Sequence, residues 1–151
     1  AKVLVGTDAS GGSYSLIDII RQATVAEILA LRHAVLRPGL PWASAAFPGD
    51  ELATTIHLAA DTGTRIVGCA TWMRSEFSGE PAYQLRGMAV DEAWRGSGLG
   101  QRLLAASDDL LPVGLLRWCN ARMSAVGFYQ RHGWTIASPV FDIPRLARIA
   151  G

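Results

Sequence analysis

The feature that most restricts this chain is Arg95-Gly96-Ser97-Gly98-Leu99-Gly100, which stands between a strand-like run, Ala82 to Val90, and a stretch with leucines at 99, 103, 104, 110 and 111. A strand, a glycine turn and a helix in that order leave the first amides of the helix without intrahelical acceptors. Those amides face outward at the positive end of the helix dipole, so a phosphate is a natural occupant. Glycines at 96, 98 and 100 let the chain turn tightly and let a bulky anion approach without meeting a Cβ. The spacing is not the G-x-G-x-x-G of a dinucleotide fold, and the residue twenty beyond Gly100 is Asn120 rather than an acid. The Gly-Lys-Ser/Thr of a phosphate-binding Walker loop is absent. A tight turn with no ligand is the plain alternative. A diphosphate-bearing ligand other than a redox dinucleotide fits the pattern best.

The remaining segments read as one α/β domain. Residues 1–13, with Gly6-Thr7-Asp8-Ala9-Ser10-Gly11-Gly12-Ser13 among them, read as a flexible lead, and the domain spans 14–151. Tyr14 to Arg21 is expected as a first strand. Thr24 with Glu27 is a capping box ahead of helical spacing at Val25, Ile28, Leu29, Val35 and Leu36. Pro38, Gly39 and Pro41 end that helix. Thr54 to Ala60 alternates as a half-buried strand, turns at Asp61-Thr62-Gly63 and returns over Arg65 to Arg74. Ala82 to Val90 follows, with Gly87 permitting a bulge. A helix from Leu99 is expected to run until Pro112 stops it. A strand Leu115 to Cys119, a helix Ser124 to His132, and strands Trp134 to Ile136 and Val140 to Ile143 complete the expected order.

Composition narrows the function. Lys2 is the only lysine, and the arginines are scattered, so the net charge of +1 carries no basic patch for nucleic acid. No apolar stretch reaches the ~18 residues that span a bilayer, and the expected setting is cytoplasmic, with no membrane partner. Cys69 and Cys119, both in apolar runs, read as buried thiols. With three dispersed histidines they give no metal-ligand spacing, so no metal is expected.

These residues together resemble the GCN5-related N-acetyltransferase superfamily, whose most recognisable segment is a strand, then Arg/Gln-x-x-Gly-x-Gly/Ala, then a helix. Overlapping windows of Arg95 to Gly100 satisfy it in part. Trp118-Cys119-Asn120-Ala121-Arg122, Ala125, Phe128-Tyr129 and His132-Gly133-Trp134 resemble the next strand, helix and strand. The resemblance implies a single α/β (α+β) domain: a mixed sheet of six or seven strands, about four flanking helices, and a fourth and fifth strand that splay apart. It implies acetyl-CoA as acyl donor, with the backbone of Met88, Ala89 and Val90 along pantetheine. Arg95, Gly96, Ser97, Gly98, Leu99, Gly100 and Gln101 would then surround the diphosphate. The acceptor would be a small-molecule amine or a peptide N-terminus, and a homodimer is compatible with the family.

The implied chemistry is acetyl transfer to a primary amine by direct attack. Tyr129 stands where the family's general acid is found. Asn120 stands at the end of the fifth strand, where it would bond the cofactor or a water, or else serve a local turn. A phenol with a pKa of about 10 protonates a thiolate of about 8.5 with a small uphill step. No residue is assigned as base: the fourth strand offers Gln84 and Arg86 where some relatives carry glutamate, and His57, Glu80 and a water chain remain open. An acyl-CoA-binding sensor without turnover is the alternative function.

Overall fold

The computed structural model describes residues 2–6 and 20–137. Seven strands form one mixed sheet: β1 Lys2–Gly6, β2 Ile20–Ala23, β3 Ile56–Asp61, β4 Ile66–Phe77, β5 Glu80–Val90, β6 Leu116–Ala121 and β7 Thr135–Ile136. Its order is β2-β3-β4-β5-β6-β1-β7, with β5 and β6 parallel and every other pair antiparallel. Helices α1 Val25–Leu36, α2 Leu99–Ser107 and α3 Met123–Arg131 complete it, with 3-10 turns at Trp42–Ala45 and Glu92–Trp94. The mixed sheet expected from sequence is present. The described residues hold three α-helices rather than about four.

Lys2–Gly6 corrects the reading of a flexible lead. Its alternating valines and leucine pair with β6 from Lys2↔Ala121 to Gly6↔Arg117, and Leu4 and Val5 pair with β7 on the other side. Leu4 is fully buried, and the backbone of Gly6 lies under the Trp134 ring, where a Cβ would come within 2.6 Å of ring carbons. Composition cannot reveal such pairing, because the partner strands lie more than a hundred residues away. The rest of the proposed lead, most of the expected first strand, and the strand expected at Val140 to Ile143 lie outside the described residues.

The α2 helix ends at Ser107, before Pro112, because Ser107 is used twice for packing. Its Oγ accepts from the Trp72 indole at 2.8 Å and donates to the Leu103 carbonyl at 2.8 Å. The amides of Leu110 and Leu111 both turn back to the Ser107 carbonyl. The leucines therefore stay on the core side without continuing the helix. At the start of α1, Glu27 accepts from the Thr24 amide at 3.0 Å, as the capping pattern predicts.

Both faces of the central strands are covered, so Ile56–Asp61 is buried on both sides rather than half-buried as its alternation suggested, because helices pack on each face of the sheet. Leu58, Ala60, Ala70 and Trp72 face α2 and α3 with Leu85, Leu99, Leu103, Leu104 and Tyr129. Ala59, Cys69 and Met73 face α1 with Ile28, Leu31, Leu36 and Phe47. His57 and Thr71 share the α1 face, and there the helix delivers a charge. Arg32 is fully buried, donates to both Asp50 oxygens at 2.7 and 3.1 Å, to the Ala45 carbonyl at 2.8 Å and to Thr71 Oγ1 at 2.7 Å. The His57 ring lies 2.8 Å from the same hydroxyl and 3.0 Å from the Asp50 carbonyl. A buried pair of this kind is kept by its hydrogen bonds, since attraction alone does not offset desolvation. It fastens the 37–55 loop to the sheet.

Strand β5 carries the one irregularity that shapes a site. Thr71 pairs with Arg86 and Cys69 with Ala89, so Gly87 and Met88 stand opposite the single residue Ala70. Gly87 has φ +73°, a left-handed conformation, and a Cβ there would meet Phe47 at 2.7 Å. Pairing with β6 runs only from Ala82↔Leu116 to Leu85↔Cys119. Beyond the bulge the strands diverge, as expected for the fourth and fifth strands of the resemblance.

Two expected outcomes follow from this packing. Asp50→Asn leaves the Arg32 charge uncompensated and lowers stability by about 3–5 kcal/mol in urea titration; an unchanged midpoint would refute the role given to the pair. Gly87→Ala combines a disfavoured φ with a clash and destabilises by about 1–3 kcal/mol, and a melting temperature equal to wild type would show that the bulge relaxes without strain.

Candidate active site

The gap between the diverging strands opens into a cleft of about 780 Å³. Its walls are Met88–Val90 of β5, the turn from Trp94 to Gln101, the last turn of α1, and one face of α3. Every residue expected from sequence to contact the cofactor lines it except Ser97. Ser97 instead braces the turn: its hydroxyl and its amide both reach the Trp94 carbonyl.

The turn is built as its glycines require. Gly96 and Gly98 take φ of +78° and +86°, and Gly98 is the residue capping α2. The first helical hydrogen bond runs from the Arg102 amide to the Gly98 carbonyl at 3.1 Å. Among the described residues, the amides of Gly98, Leu99, Gly100 and Gln101 have no acceptor. They sit at the positive end of the helix on the cleft wall, which is the arrangement that takes an anion. Gly100 serves packing as well, because a Cβ would lie 3.1 Å from the Phe128 ring. Arg95 holds the Val90 carbonyl at 3.4 Å and also lines the cleft. Donors of this number and shape fit a diphosphate.

Tyr129 projects from α3 with 1% of its surface exposed, and it lines the cleft. Its ring is wedged between Phe128 at 5.2 Å and Trp134 at 5.3 Å. Burial first, and the neighbouring Cys119 second, hold its phenol well above its usual pKa near 10. The group is neutral at physiological pH, hence able to donate a proton. Asn120 is placed differently: it is 5% exposed, paired with Val3 in the β6–β1 ladder, and lies outside the cleft lining.

The residues left open as bases do not reach the cleft. Both His57 ring nitrogens are engaged in the Arg32 network, and Glu80 begins β5 at the end remote from the bulge. Trp42 is 57% exposed and packs on His33 at 5.3 Å, away from the lining. Sequence inspection missed several wall residues: Val35, Leu36, Arg122, Ser124, Arg131 and His132. The only available signal was position, since Arg122 to His132 accompany Tyr129 on its helix. His132 stands edge-on to Phe128 at 4.6 Å, and burial with nearby Arg131 lowers its pKa below the usual 6.5.

Residues 53–136 match the family described as Acetyltransferase (GNAT) domain, more than half of the chain. The chain belongs to the GNAT family of acetyltransferases. It is similar to the uncharacterized N-acetyltransferase YitI of Bacillus subtilis (strain 168), with 27% identity over 130 residues that cover 83% of this chain and 87% of that protein. In fold it is similar to Escherichia coli ElaA, with a TM-score of 0.65 and 21% identity over 83% of this chain and 93% of that one. It is also similar to the aminoglycoside acetyltransferase meta-AAC0020 from an uncultured soil metagenomic sample, solved with sisomicin. That match has a TM-score of 0.62 and 18% identity over 87% and 99% of the two chains. Among the described residues no helix is long and apolar enough to cross a membrane, and no cluster of three metal-ligating side chains is present.

Cys119 lies beside Tyr129, yet burial pushes both its thiol and that of Cys69 up to about 12. Neither is a nucleophile at neutral pH. At pH 8 a disulfide-exchange reagent is expected to label no thiol in the folded protein and both in denaturant. Rapid native labelling of Cys119 would show that the core around it opens readily.

Proposed function

We propose that the cleft binds acetyl-CoA and that the enzyme transfers its acetyl group to a primary amine of a small molecule, within a ternary complex. The observation that carries this reading is the set of unpaired amides at Gly98 to Gln101 on the same cleft as the buried phenol of Tyr129. The diphosphate lies on those amides, with Arg95 adding charge. Pantetheine runs along Met88–Val90 as an added strand, where β6 no longer pairs with β5. A backbone amide near Met88 supports the oxyanion, a contribution of about 3–4 kcal/mol when preorganised. The aminoglycoside acetyltransferase of similar fold acts as the precedent for a small-molecule amine.

Attack requires a neutral amine. An ammonium with a pKa of about 10.4 costs roughly 4–5 kcal/mol to deprotonate at pH 7. Among the described residues, the lining of this cleft includes Arg95, Arg122 and Arg131 and no carboxylate. Such surroundings disfavour a charged ammonium and so lower that cost. Tyr129 then gives its proton to the departing thiolate, and the proton shed by the acylated nitrogen returns through water to restore the phenol; the same apolar surroundings that raise the phenol also raise the thiol, keeping the transfer near balance. Asn120, outside the cleft lining, is given no step in the transfer.

Acetyl-CoA is expected to raise the melting temperature, and an amine panel with thiol detection is expected to find CoA released. No stabilisation by acetyl-CoA would sink the reading. Tyr129→Phe is expected to lower kcat by about 10²–10⁴-fold with acetyl-CoA binding kept, whereas a non-catalytic acyl-CoA sensor would show no phenotype. Because Tyr129 works in its protonated form and its pKa is raised, that form persists past pH 10. A Tyr129-dependent fall in kcat below pH 9 would contradict the assignment.

A further inference from the structure

Where α1 ends and α3 begins, two guanidiniums converge on one oxygen. Arg37 Nη1 donates to the Leu36 carbonyl at 2.8 Å, and Arg122 Nη2 reaches the same carbonyl at 3.4 Å. That carbonyl belongs to the negative end of the α1 dipole, which explains why cations gather there. One acceptor still leaves most of two five-donor forks unmatched.

No carboxylate of the described residues forms an ion pair with either arginine. The nearby acid, Asp50, is held by Arg32. Arg37 is partly buried, 5.3 Å from the centre of the Phe47 ring that also carries Arg32 at 3.9 Å. Burial first, then the like charges of Arg122 and Arg32, push its pKa down. Val35, Leu36 and Arg122 belong to the cleft wall itself.

Resting on the acetyltransferase reading above, we infer that the acceptor is an amine that also carries a carboxylate, gripped between Arg37 and Arg122. Two planar forks converging on one small site match a carboxylate in shape and charge. A polycationic acceptor would meet like charge there. The same anion chemistry is offered by a phosphate of the cofactor. The diphosphate, however, already has the amides of Gly98 to Gln101 and Arg95 on the α2 wall. Arg122 lines the cleft beside Val35 and Leu36 at the end of α1 rather than at the start of α2, and Arg37 adjoins it just outside the lining through the shared Leu36 carbonyl. Bound there, a carboxylate would fix the acceptor and leave its amine to reach the thioester.

The test uses matched pairs of amines, each an amino acid and its amide, with CoA release measured at saturating acetyl-CoA. The wild type is compared with Arg37→Gln, Arg122→Gln and the charge-keeping Arg122→Lys. Because the amide's amine is the less basic of each pair, the readout is the change in the acid-to-amide ratio of kcat/KM between wild type and variant. That ratio is expected to fall by about tenfold or more in each glutamine variant, mainly through KM, and to recover in part in Arg122→Lys. A ratio that does not change overturns the inference while leaving acetyl transfer intact. So does an Arg122→Gln variant that loses affinity for acetyl-CoA but not for its 3′-dephospho form, since the pair then serves the cofactor. If no pair turns over although acetyl-CoA binds, calorimetry of the amino acids on the CoA complex must show heat, and its absence overturns the inference. Failure of acetyl-CoA to bind the wild type removes the acetyltransferase reading, and this inference with it.

Discussion

Neighbouring parallel strands can open a cleft only by giving up the hydrogen bonds between them, and the bulge at Gly87–Met88 is where β5 does so. One extra residue against β4 re-aims the strand, and pairing with β6 stops at Leu85 and Cys119. Everything at the site depends on that divergence. It leaves Met88–Val90 along one wall, brings the start of α2 to one end and admits α3 with Tyr129 to the floor. A regular β5 would keep its ladder and close the space.

The bulge is itself held from behind. Phe47 and Arg32 lie so close to Gly87 that a methyl group would not fit, and Arg32 is fixed by Asp50, Thr71 and the Ala45 carbonyl. A buried charge network is a poor source of net stability but a good source of unique geometry, because each donor has one satisfactory place. The loop from Arg37 to Thr55 is thereby tied to the strand that shapes the cleft. It brings Arg37 beside Arg122 across the end of α1. The network that holds the bulge and the two guanidiniums at the end of α1 thus belong to one packed region.

Much of this was legible before any coordinates. Arg95 to Gly100 announced a strand, a glycine turn and a helix start, because glycine at two left-handed positions and a leucine-spaced helix are local properties. The capping pair Thr24 and Glu27, the hairpin at Asp61 to Gly63 and the bulge at Gly87 were equally local. Tyr129 came from its place after the Trp118 to Ala121 strand. Asn120 shows the limit of that approach: its motif position suggested the site, yet it is buried beside Val3 in the ladder and lies outside the cleft lining. Lys2–Gly6 shows it more strongly, since a five-residue apolar run has no recognisable partner in sequence and finds two in space.

By itself, then, the sequence determined what is written within a few residues: the alternation of the strands, the helix starts, and a glycine turn that leaves the amides of residues 98–101 without helical acceptors. Only the tertiary structure decided which side chains share a space. Arg32 meets Asp50 and Thr71, His57 is consumed by that network, and Arg37 joins Arg122 across 85 positions of chain. The physical reason is that backbone conformation follows from neighbours along the chain, whereas burial, desolvation and charge pairing follow from neighbours in space.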